Sequence, residues 1–342
     1  MKAVRFHRHG GIEELVFEDA PDPTPGPGEV LVQVKACALN YLDIWERRGL
    51  PGVLLKFPHI SGSDVAGVIE RVGPGVSHVR PGTKTLIHPG LSCMACEYCF
   101  QGRENLCRSF SVLGYYTDGG YAELVNVPAV NALPYPEGFD FTDAAAIPLV
   151  FLTAWHMLVE RCRLGQGETV LVIGAGSGVG SAAIQIARLF HARVIATAGS
   201  DAKLEKARAL GADYVIDHTR QKIREEVRRI TEKRGADVVF EHVGAATWDE
   251  STASLAHHGR LVTCGATTGH EVALDLRHLF AKQITLLGSY MGSRHELLTV
   301  LKFVRQGLLK PVVSNVFPLA EAGHAQQLME NRAHFGKIVL SV

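Results

Sequence analysis

Apolar residues change their spacing between residues 169 and 190, and this change predicts the centre of one domain. Residues 169–173 (TVLVI) form a short continuous apolar run, as expected for a parallel strand that is buried on both faces. A glycine-rich stretch follows, and from Ala182 to Leu189 the apolar residues recur at helical spacing. The sequence therefore predicts a strand, a tight turn and a helix in direct succession.

Apolar strands and helices continue to alternate as far as residue 290. Further strands are predicted at 192–198, 213–217, 236–244, 260–266 and 284–290. Between them, helices are predicted near 201–210, 221–232 and 247–256. Parallel strands joined by crossover helices predict an α/β fold, a doubly wound parallel sheet with the strand order 3-2-1-4-5-6.

The N-terminal part has a different pattern, in which short apolar runs are broken by glycine and proline. Residues 30–35 alternate as a strand with one more polar face. Residues 61–76 and 81–87 contain short apolar runs separated by glycines. Many short strands with such turns predict a β-rich domain, a small and sharply turned barrel.

After the parallel sheet the chain returns to this first domain. Residues 141–160 predict a helix with Thr142 as its N-cap and a second helix after Pro148. Ser293 and Glu296 have the spacing of a capping box, and two strands flank a last helix near 320–332. We therefore predict one domain from residues 1–150 and 289–342, and a second domain from residues 151–288.

Composition narrows the class of protein. The 342 residues include 35 basic and 35 acidic side chains, so the net charge is +0 and no nucleic-acid partner is expected. The N-terminus lacks the apolar core of a signal peptide, and no long uncharged apolar run predicts a membrane span. Seven cysteines, four of them close together, favour a reducing compartment with a metal site. We expect a soluble cytoplasmic protein that acts on a small molecule.

The glycine-rich stretch between the central strand and helix predicts a site for a dinucleotide pyrophosphate. Glycines allow a tight turn and the close approach of backbone N–H groups to phosphates, and the helix N-terminus favours an anion. The predicted cofactor-binding residues of the turn are Gly174, Gly176, Ser177, Gly178, Val179 and Gly180. Read as G-A-G-S-G-V-G, the turn resembles that of the quinone oxidoreductase branch of the medium-chain dehydrogenase/reductase superfamily.

The resemblance to that superfamily covers essentially the whole chain, and it implies a GroES-like N-terminal barrel. Its zinc alcohol dehydrogenases carry a cysteine and a Gly-His-Glu as catalytic zinc ligands or their neighbours. In this sequence the corresponding positions hold Asn40 and Gly62-Ser63-Asp64, and the position of a third ligand holds Leu149. Zinc requires thiolate, imidazole or carboxylate ligands, so we expect no catalytic zinc. The alternative is that Cys37, His59, Asp64 and His88 form a makeshift set of metal ligands.

Four cysteines predict a metal centre near residues 90–110. Cys93, Cys96 and Cys99 have the spacing C-x-x-C-x-x-C, and seven residues separate Cys99 from Cys107. Four thiolates in one loop can surround a tetrahedral ion without leaving an open position, so the predicted role is one structural zinc. Free thiols or two disulfides are the alternative, although cysteines three apart rarely reach disulfide geometry. The spacing also resembles the structural zinc lobe of the superfamily's zinc-dependent members.

The end of the second strand of the parallel sheet predicts which cofactor binds. NAD enzymes keep an acidic residue there for the ribose hydroxyl, whereas the corresponding position here is Ala198. Ser200 and Lys203 follow, and a hydroxyl with an ammonium can bind a 2′-phosphate. This resembles the NADP-type loop of quinone oxidoreductases, so we expect NADPH rather than NADH. Alternatively, Ser200 caps the next helix and Lys203 is solvated.

Loops that follow the fourth and fifth strands are expected to flank the ribose and nicotinamide, because ligands lie at the carboxyl edge of such sheets. The residues predicted to do so are Val243, Gly244, Gly265, Ala266 and Thr267. Thr153 stands where superfamily members place a residue beside the nicotinamide, and helix packing is its alternative role.

The resemblance implies hydride transfer from NADPH to a quinone or an α,β-unsaturated carbonyl without catalytic zinc. Asn40 would orient the carbonyl or the cofactor amide, and Tyr41, Asp43 and Trp45 would line the substrate cleft. Zeta-crystallin-like enzymes have a tyrosine at the position of Trp45, so the proton donor stays unassigned between Tyr41 and water. Two alternatives remain, an alcohol dehydrogenase with a rearranged metal site and a non-catalytic NADPH-binding protein. Dimers or tetramers are usual in the family.

Overall fold

A computed structural model of the chain describes residues 1–50 and 52–342. The described chain divides into two compact units. Unit 1 comprises Met1–Leu149, Gly292–Arg305 and Pro311–Val342, and unit 2 comprises Val150–Met291 and Gln306–Lys310. The chain passes from one unit to the other near residues 150, 291 and 305–311, so unit 1 is assembled from three separate stretches.

The elements are numbered along the chain. The strands are β1 (Lys2–Arg5), β2 (Val16–Asp19), β3 (Glu29–Ala38), β4 (Asp64–Val72), β5 (Lys84–Ile87), β6 (Gly90–Leu91), β7 (Ser111–Val112), β8 (Leu124–Pro128), β9 (Ala132–Pro134), β10 (Thr169–Val172), β11 (Arg193–Ala198), β12 (Tyr214–Asp217), β13 (Ala236–Glu241), β14 (Leu255–Thr263), β15 (Thr285–Gly288), β16 (Val313–Pro318) and β17 (Lys337–Ser341). The helices are α1 (Tyr41–Arg48), α2 (Glu97–Phe100), α3 (Phe141–Ala145), α4 (Pro148–Trp155), α5 (Gly178–Leu189), α6 (Asp201–Ala209), α7 (Ile223–Ile230), α8 (Trp248–Ala253), α9 (Leu276–Lys282), α10 (Arg294–Arg305) and α11 (Ala322–Glu330). A π-helical segment, His156–Arg161, continues α4, and short 3₁₀ turns occupy Ile12–Glu14, Glu104–Leu106, Ala129–Asn131 and Leu319–Glu321.

A seven-stranded sheet forms the centre of unit 1. Its strand order is β16-β17-β3-β4-β5-β9, and β8 pairs with β3 outside this path. Ala38 at the end of β3 lies opposite Asp64 at the start of β4, and Val339 of β17 lies opposite Ala38. The register therefore brings the residues that follow β3, begin β4 and begin β17 to one end of three adjacent strands.

The parallel sheet of unit 2 has the predicted strand order. Its order is β12-β11-β10-β13-β14-β15, which corresponds to 3-2-1-4-5-6 along the chain and is confirmed. Every residue of β10 and β13 is buried, as the apolar runs required. Isoleucine, leucine and valine side chains of the sheet and of α7 form one apolar core, since α7 turns Ile223, Val227 and Ile230 inwards.

Several element boundaries differ from the sequence prediction. Asp140 rather than Thr142 is the N-cap of α3, because its carboxylate accepts the Asp143 N–H at 2.8 Å while Thr142 lies inside the helix. β14 begins at Leu255, where the sequence predicted a helix as far as residue 256. The capping box before α10 is confirmed, since the Ser293 N–H donates to Glu296 at 2.6 Å.

One stretch of the chain is long and apolar enough to cross a membrane when judged by length and composition alone. It is the helical stretch Phe141–Arg161, and 72% of its apolar window is buried inside the protein. Burial of this kind is what a core helix shows.

Candidate functional site

The glycine turn of unit 2 is held by short local bonds. Gly174 has a positive φ of 67°, and its carbonyl accepts the Ser177 N–H at 3.0 Å. The Ser177 hydroxyl accepts the Gly180 N–H at 2.9 Å and so caps α5. A Cβ on Gly180 would lie 2.4 Å from the carbonyl oxygen of Gly174, so only glycine fits this position. The helix N-terminus is thereby held close to the end of β10, which is the arrangement that binds a pyrophosphate.

His242 lies against this turn. Its Nε2 is 3.1 Å from the Ser177 hydroxyl oxygen, and burial lowers the pKa of the imidazole, which favours the neutral ring. A Cβ on Gly174 would lie 3.1 Å from the ring. The histidine therefore packs under the turn and holds the capping serine in place.

Glu241, at the end of β13, organises the loop that follows, and sequence reasoning missed it. Its side chain is fully buried and accepts five hydrogen bonds. One oxygen takes the N–H groups of residues 242–244 at 2.5–3.1 Å, and the other takes the hydroxyls of Thr247 and Ser251 at 2.8 and 2.6 Å. Because all five donors converge on one carboxylate, the backbone of Val243 and Gly244 is fixed.

Two of the predicted cofactor-flanking loops lie against each other. The Val243 carbonyl accepts both the N–H and the hydroxyl of Thr268, at 2.9 and 2.8 Å. Gly244 has φ +92°, and a Cβ there would lie 2.9 Å from the Cα of Ala266. A Cβ on Gly265 would likewise lie 2.9 Å from the His242 carbonyl. The structure thus brings Val243, Gly244, Gly265, Ala266 and Thr267 together at the carboxyl edge of the sheet.

The end of β11 carries no carboxylate. Ala198 lies opposite Asp217 of β12, whose Oδ1 accepts the N–H and the hydroxyl of Thr219 at 2.9 and 2.6 Å. These two bonds lower the pKa of Asp217. Ser200 is the N-cap residue of α6, but its side chain makes no capping bond there. The capping alternative is thus confirmed for the position of Ser200 but not for its hydroxyl.

In unit 1, the N-cap residue of α1 and the first residues of β4 and β17 form a buried polar cluster, defined here as Asn40, Asp64 and Lys337. Their exposed fractions are 7%, 0% and 3%. The Lys337 ammonium donates to Asp64 Oδ2 at 2.8 Å and to Asn40 Oδ1 at 2.7 Å, and Asn40 Nδ2 donates to the same Asp64 oxygen at 2.9 Å. The remaining oxygen of Asp64 accepts the Leu149 N–H at 2.7 Å. All three positions that correspond to catalytic zinc ligands thus lie in or beside this cluster.

Asp43 supports the polar cluster from within α1. Its Oδ2 accepts the Asn40 backbone N–H at 2.9 Å and the Tyr121 hydroxyl at 2.8 Å. Burial raises the pKa of Asp43 to about 6, although both hydrogen bonds oppose the rise. Since the side chain is fully buried, Asp43 acts on the neighbourhood through Asn40 rather than by lining a cleft. Tyr41 and Trp45 are half-buried and meet edge to face, with ring centroids 5.5 Å apart.

Some buried polar atoms near the predicted sites have no hydrogen-bond partner among the described residues. They include the Ser63 hydroxyl in unit 1 and the Thr153 hydroxyl in unit 2. Thr153 lies in α4 and is 4% exposed. In residues 1–50 and 52–342, Cys37, His59, Asp64 and His88 do not form a group with metal-binding spacing. The makeshift metal site is therefore not assembled.

The four cysteines of residues 93–107 do come together. Their sulfur atoms all lie within 4.8 Å of one another, with separations of 3.5 Å for Cys96–Cys99 and Cys93–Cys107 and 3.9 Å for Cys93–Cys99. A zinc–sulfur bond of about 2.3 Å gives a tetrahedron with edges of about 3.8 Å. The four thiols therefore fit a zinc ion, and no disulfide joins any cysteine of the described chain.

Comparisons with known proteins bear on both units. A family model described as "Alcohol dehydrogenase GroES-like domain" matches residues 26–137, and one described as "Zinc-binding dehydrogenase" matches residues 178–306. An acryloyl-coenzyme A reductase from Metallosphaera sedula is 32% identical over 344 residues, covering 100% of both chains.

Two solved structures extend this likeness. A crystal structure of an NAD-dependent alcohol dehydrogenase has a TM-score of 0.97 and 48% identity, covering 100% of both chains. A crotonyl-CoA carboxylase/reductase in complex with NADP has a TM-score of 0.93 and 28% identity, covering 100% of this chain and 94% of that one. Alcohol oxidation and the reduction of unsaturated thioesters therefore both occur among proteins with this architecture.

Proposed function

Because the chain belongs to the medium-chain dehydrogenase/reductase superfamily and is accordingly an NAD(P)H-dependent oxidoreductase, we propose that it reduces a conjugated acceptor without a catalytic zinc. The acceptor class is an α,β-unsaturated carbonyl compound or a quinone. The observation that carries this proposal is the polar cluster, in which an amide, a carboxylate and an ammonium satisfy one another at the position of the metal ligands.

Unit 2 supplies the residues that would hold the cofactor. The turn from Gly174 to Gly180 offers backbone N–H groups to a pyrophosphate, and the loop fixed by Glu241 would support the ribose and nicotinamide. When bound, a reduced nicotinamide supplies the hydride. We propose NADPH as the preferred form, since Ala198 leaves no carboxylate to repel a 2′-phosphate and Ser200 has a hydroxyl that is not used as a cap.

The chemistry of the acceptor explains why the metal can be absent. A conjugated acceptor takes hydride at the carbon remote from its carbonyl, and negative charge then develops on the oxygen as an enolate. Hydrogen-bond donors can stabilise this delocalised charge, whereas a simple alcohol and ketone pair relies more on a Lewis acid. In unit 1, Asn40 is the side chain we propose for the carbonyl oxygen, and Tyr41 or water would supply the proton.

A kinetic panel tests the proposal. Purified protein is assayed with NADPH and NADH against acryloyl-CoA, methyl vinyl ketone and 1,4-benzoquinone, and in the reverse direction against primary alcohols with NAD⁺ and NADP⁺. We expect turnover of at least one conjugated acceptor and a higher kcat/KM with NADPH. Alcohol oxidation as the only activity, or cofactor binding without any turnover, would contradict it.

Zinc content separates the proposal from its main alternative. Alcohol dehydrogenase activity is favoured by the 48% identity to a protein of that description. Elemental analysis of desalted protein should give one zinc per chain, held by Cys93, Cys96, Cys99 and Cys107. Two zinc ions per chain would show a second metal held despite Asn40, Ser63 and Leu149, and would favour the alcohol dehydrogenase.

The setting of the protein follows from the same features. Four thiols at zinc-binding separation require a reducing compartment, so we propose a cytoplasmic location. A homodimer or homotetramer is the proposed assembly, and sedimentation of the purified protein as a single chain would contradict it.

A further inference from the structure

Asn40 has two partners that determine how its carboxamide is turned. Its Oδ1 faces the Lys337 ammonium at 2.7 Å, and its Nδ2 faces Asp64 Oδ2 at 2.9 Å. Exchanging the amide nitrogen and oxygen would set N–H groups against an ammonium and an oxygen against a carboxylate. Both contacts would then be repulsive in a buried site, so only one of the two orientations is stable.

Lys337 has no N–H left for a substrate, and Asp64 already accepts three of the roughly four bonds that its carboxylate can take. An ammonium has three N–H donors, and Lys337 directs them to the Leu39 carbonyl, Asn40 and Asp64 at 2.5, 2.7 and 2.8 Å. The Asp64 oxygens accept three bonds, one of them from the Leu149 N–H. Lys337 and Asp64 therefore cannot act directly on an acceptor as they are arranged.

One hydrogen of the cluster is not used in an ordinary hydrogen bond. The Asn40 amide nitrogen carries two hydrogens, and one of them is directed at Asp64. The remaining contact of this nitrogen is with the Ala38 carbonyl at 3.5 Å, beyond the usual range of about 2.7–3.2 Å. The carbonyl oxygen of a substrate could replace that weak contact at little cost in free energy.

We propose that Lys337 and Asp64 are positioning residues that lock the Asn40 carboxamide so that its second N–H donates to the carbonyl oxygen of the acceptor. This inference rests on the proposed reduction of a conjugated carbonyl compound. Lys337 withdraws electron density through Oδ1, which strengthens the N–H as a donor. The ammonium thus acts on the substrate through an amide, where zinc-dependent relatives use a metal.

The step balances without transfer of a proton from Asn40. A reduced nicotinamide, when bound, would supply the hydride for a new C–H bond at the β-carbon and would be oxidised by two electrons. The C=C π pair then forms the enolate double bond between the α-carbon and the carbonyl carbon, the C=O π pair moves to the oxygen, and the acceptor is reduced. Asn40 donates a hydrogen bond to the resulting enolate oxygen and keeps its hydrogen. Tyr41 or water then supplies the proton to the α-carbon, which completes the saturated carbonyl product.

Removal of both charges together gives a variant that should still fold. Lys337→Met alone leaves Asp64 buried and unpaired, whereas Lys337→Met with Asp64→Asn removes the pair, and such replacements are often tolerated. The matched control is Arg294→Met with Glu104→Gln, which removes another ion pair of unit 1, 3.2 Å long, that does not contact Asn40. Melting temperatures identify variants that have lost their fold.

The first measurement is independent of activity. The side-chain amide signals of Asn40 are assigned in ¹⁵N-labelled protein by their loss in Asn40→Ala. In the wild type we expect one strongly downfield amide proton, bonded to the Asp64 carboxylate, with slow exchange. The double variant should shift this signal upfield and speed its exchange, and the control should leave it unchanged. An unchanged signal in the double variant would overturn the proposed orientation.

The second measurement is a double-mutant cycle with methyl vinyl ketone and acryloyl-CoA. The charge-pair variant and Asn40→Ala should each lower kcat by roughly 10- to 100-fold, which is no more than the loss of one oxyanion donor usually costs. Both should leave the dissociation constant of NADPH unchanged. Combining them should cause no further loss, because Lys337 and Asp64 act through Asn40. Additive losses would overturn the positioning role. Failure of the wild type to reduce either acceptor would instead overturn the proposed function, and the amide signal would still decide the orientation.

Discussion

The glycine turn of unit 2 and the polar cluster of unit 1 are built in opposite ways. The bonds that close the turn join Ser177 to Gly174 and Gly180, each three residues away, and a contact with the distant His242 supports them, while Glu241 accepts its five hydrogen bonds from the next ten residues. The polar cluster joins residues that are 24, 85, 273 and 297 positions apart. Backbone N–H groups form the first site, whereas charged side chains form the second. Local sequence therefore specifies the cofactor turn, whereas tertiary structure specifies the polar cluster.

The largest expected effect comes from leaving a charge of the polar cluster unpaired. Lys337→Met should lower the free energy of unfolding by roughly 3–5 kcal/mol, because Asp64 would stay buried without a cation. Chemical denaturation measures the loss. Lys2→Met, which breaks the exposed pair with Asp19, should have a far smaller effect on the free energy of unfolding, because solvent screens that pair. Equal losses in the two variants would show that the cluster is not the sensitive point of unit 1.

The corresponding change in the turn should affect binding more than folding. Gly180→Ala places a Cβ 2.4 Å from the Gly174 carbonyl oxygen, so the turn and α5 must separate. We expect the dissociation constant of NADPH to rise about 100-fold, roughly 2.7 kcal/mol, in a fluorescence titration. Gly165→Ala in the same unit is the control, since its Cβ would meet nothing closer than 3.5 Å. Normal affinity in Gly180→Ala would contradict a backbone-built phosphate site.

A fully buried histidine should make unit 1 sensitive to acid. Burial lowers the pKa of His88 in unit 1 from 6.5 to about 4, so the unfolded chain binds a proton more readily between these values. The neutral ring makes its full contribution to the free energy of unfolding above pH 6.5. This contribution is lost as the pH falls, and the loss amounts to about 2 kcal/mol at pH 5. His88→Asn should abolish this part of the loss when unfolding is compared at pH 7 and pH 5. An identical pH dependence in wild type and variant would disprove the assignment.

The smallest expected effect concerns a single cap. Ser177→Ala removes the acceptor of the Gly180 N–H and should cost about 1 kcal/mol of unfolding free energy. Ser200→Ala is the matched control, because Ser200 makes no side-chain capping bond and its loss should cost less than about 0.5 kcal/mol. Thermal unfolding of the two variants beside the wild type makes the comparison, and a larger loss in Ser200→Ala would contradict it.

Much of the fold could be predicted from the sequence because its signals are local. Apolar runs located the strands of the parallel sheet, the alternation with helices predicted their order through the doubly wound fold, and cysteine spacing predicted four sulfur atoms that converge. Helix α9 was missed because none of its residues is fully buried; Leu279 packs half-buried against the core of the parallel sheet, but the apolar residues mark no continuous buried face. Its type is recognisable only once Asp275 is seen to accept the Arg277 N–H at 2.9 Å.

The candidate site was only partly predictable. Asn40 could be chosen because the family resemblance puts it at the position of a zinc ligand, but its partner Lys337 is 297 residues away and resembles any lysine that begins a strand. Asp43 was expected in a cleft and is instead fully buried beneath Asn40. Glu241 left a weak local signal, an acidic residue that ends an apolar strand with hydroxyl residues six and ten positions later. Its importance follows from the convergence of its donors, which spacing alone does not show.

The position of β17 has a consequence for synthesis of the protein. Lys337 is translated 273 residues after Asp64, which at about 5–20 residues per second leaves an interval of roughly 14–55 s. All of residues 150–291, the main part of unit 2, leave the ribosome within that interval. During translation, Asp64 therefore lacks its partner Lys337 until almost the whole chain has been made. Unit 1, whose synthesis begins first, is the last to be completed. A nascent chain stalled before residue 337 should resist proteases in its parallel sheet while its N-terminal barrel is still cut.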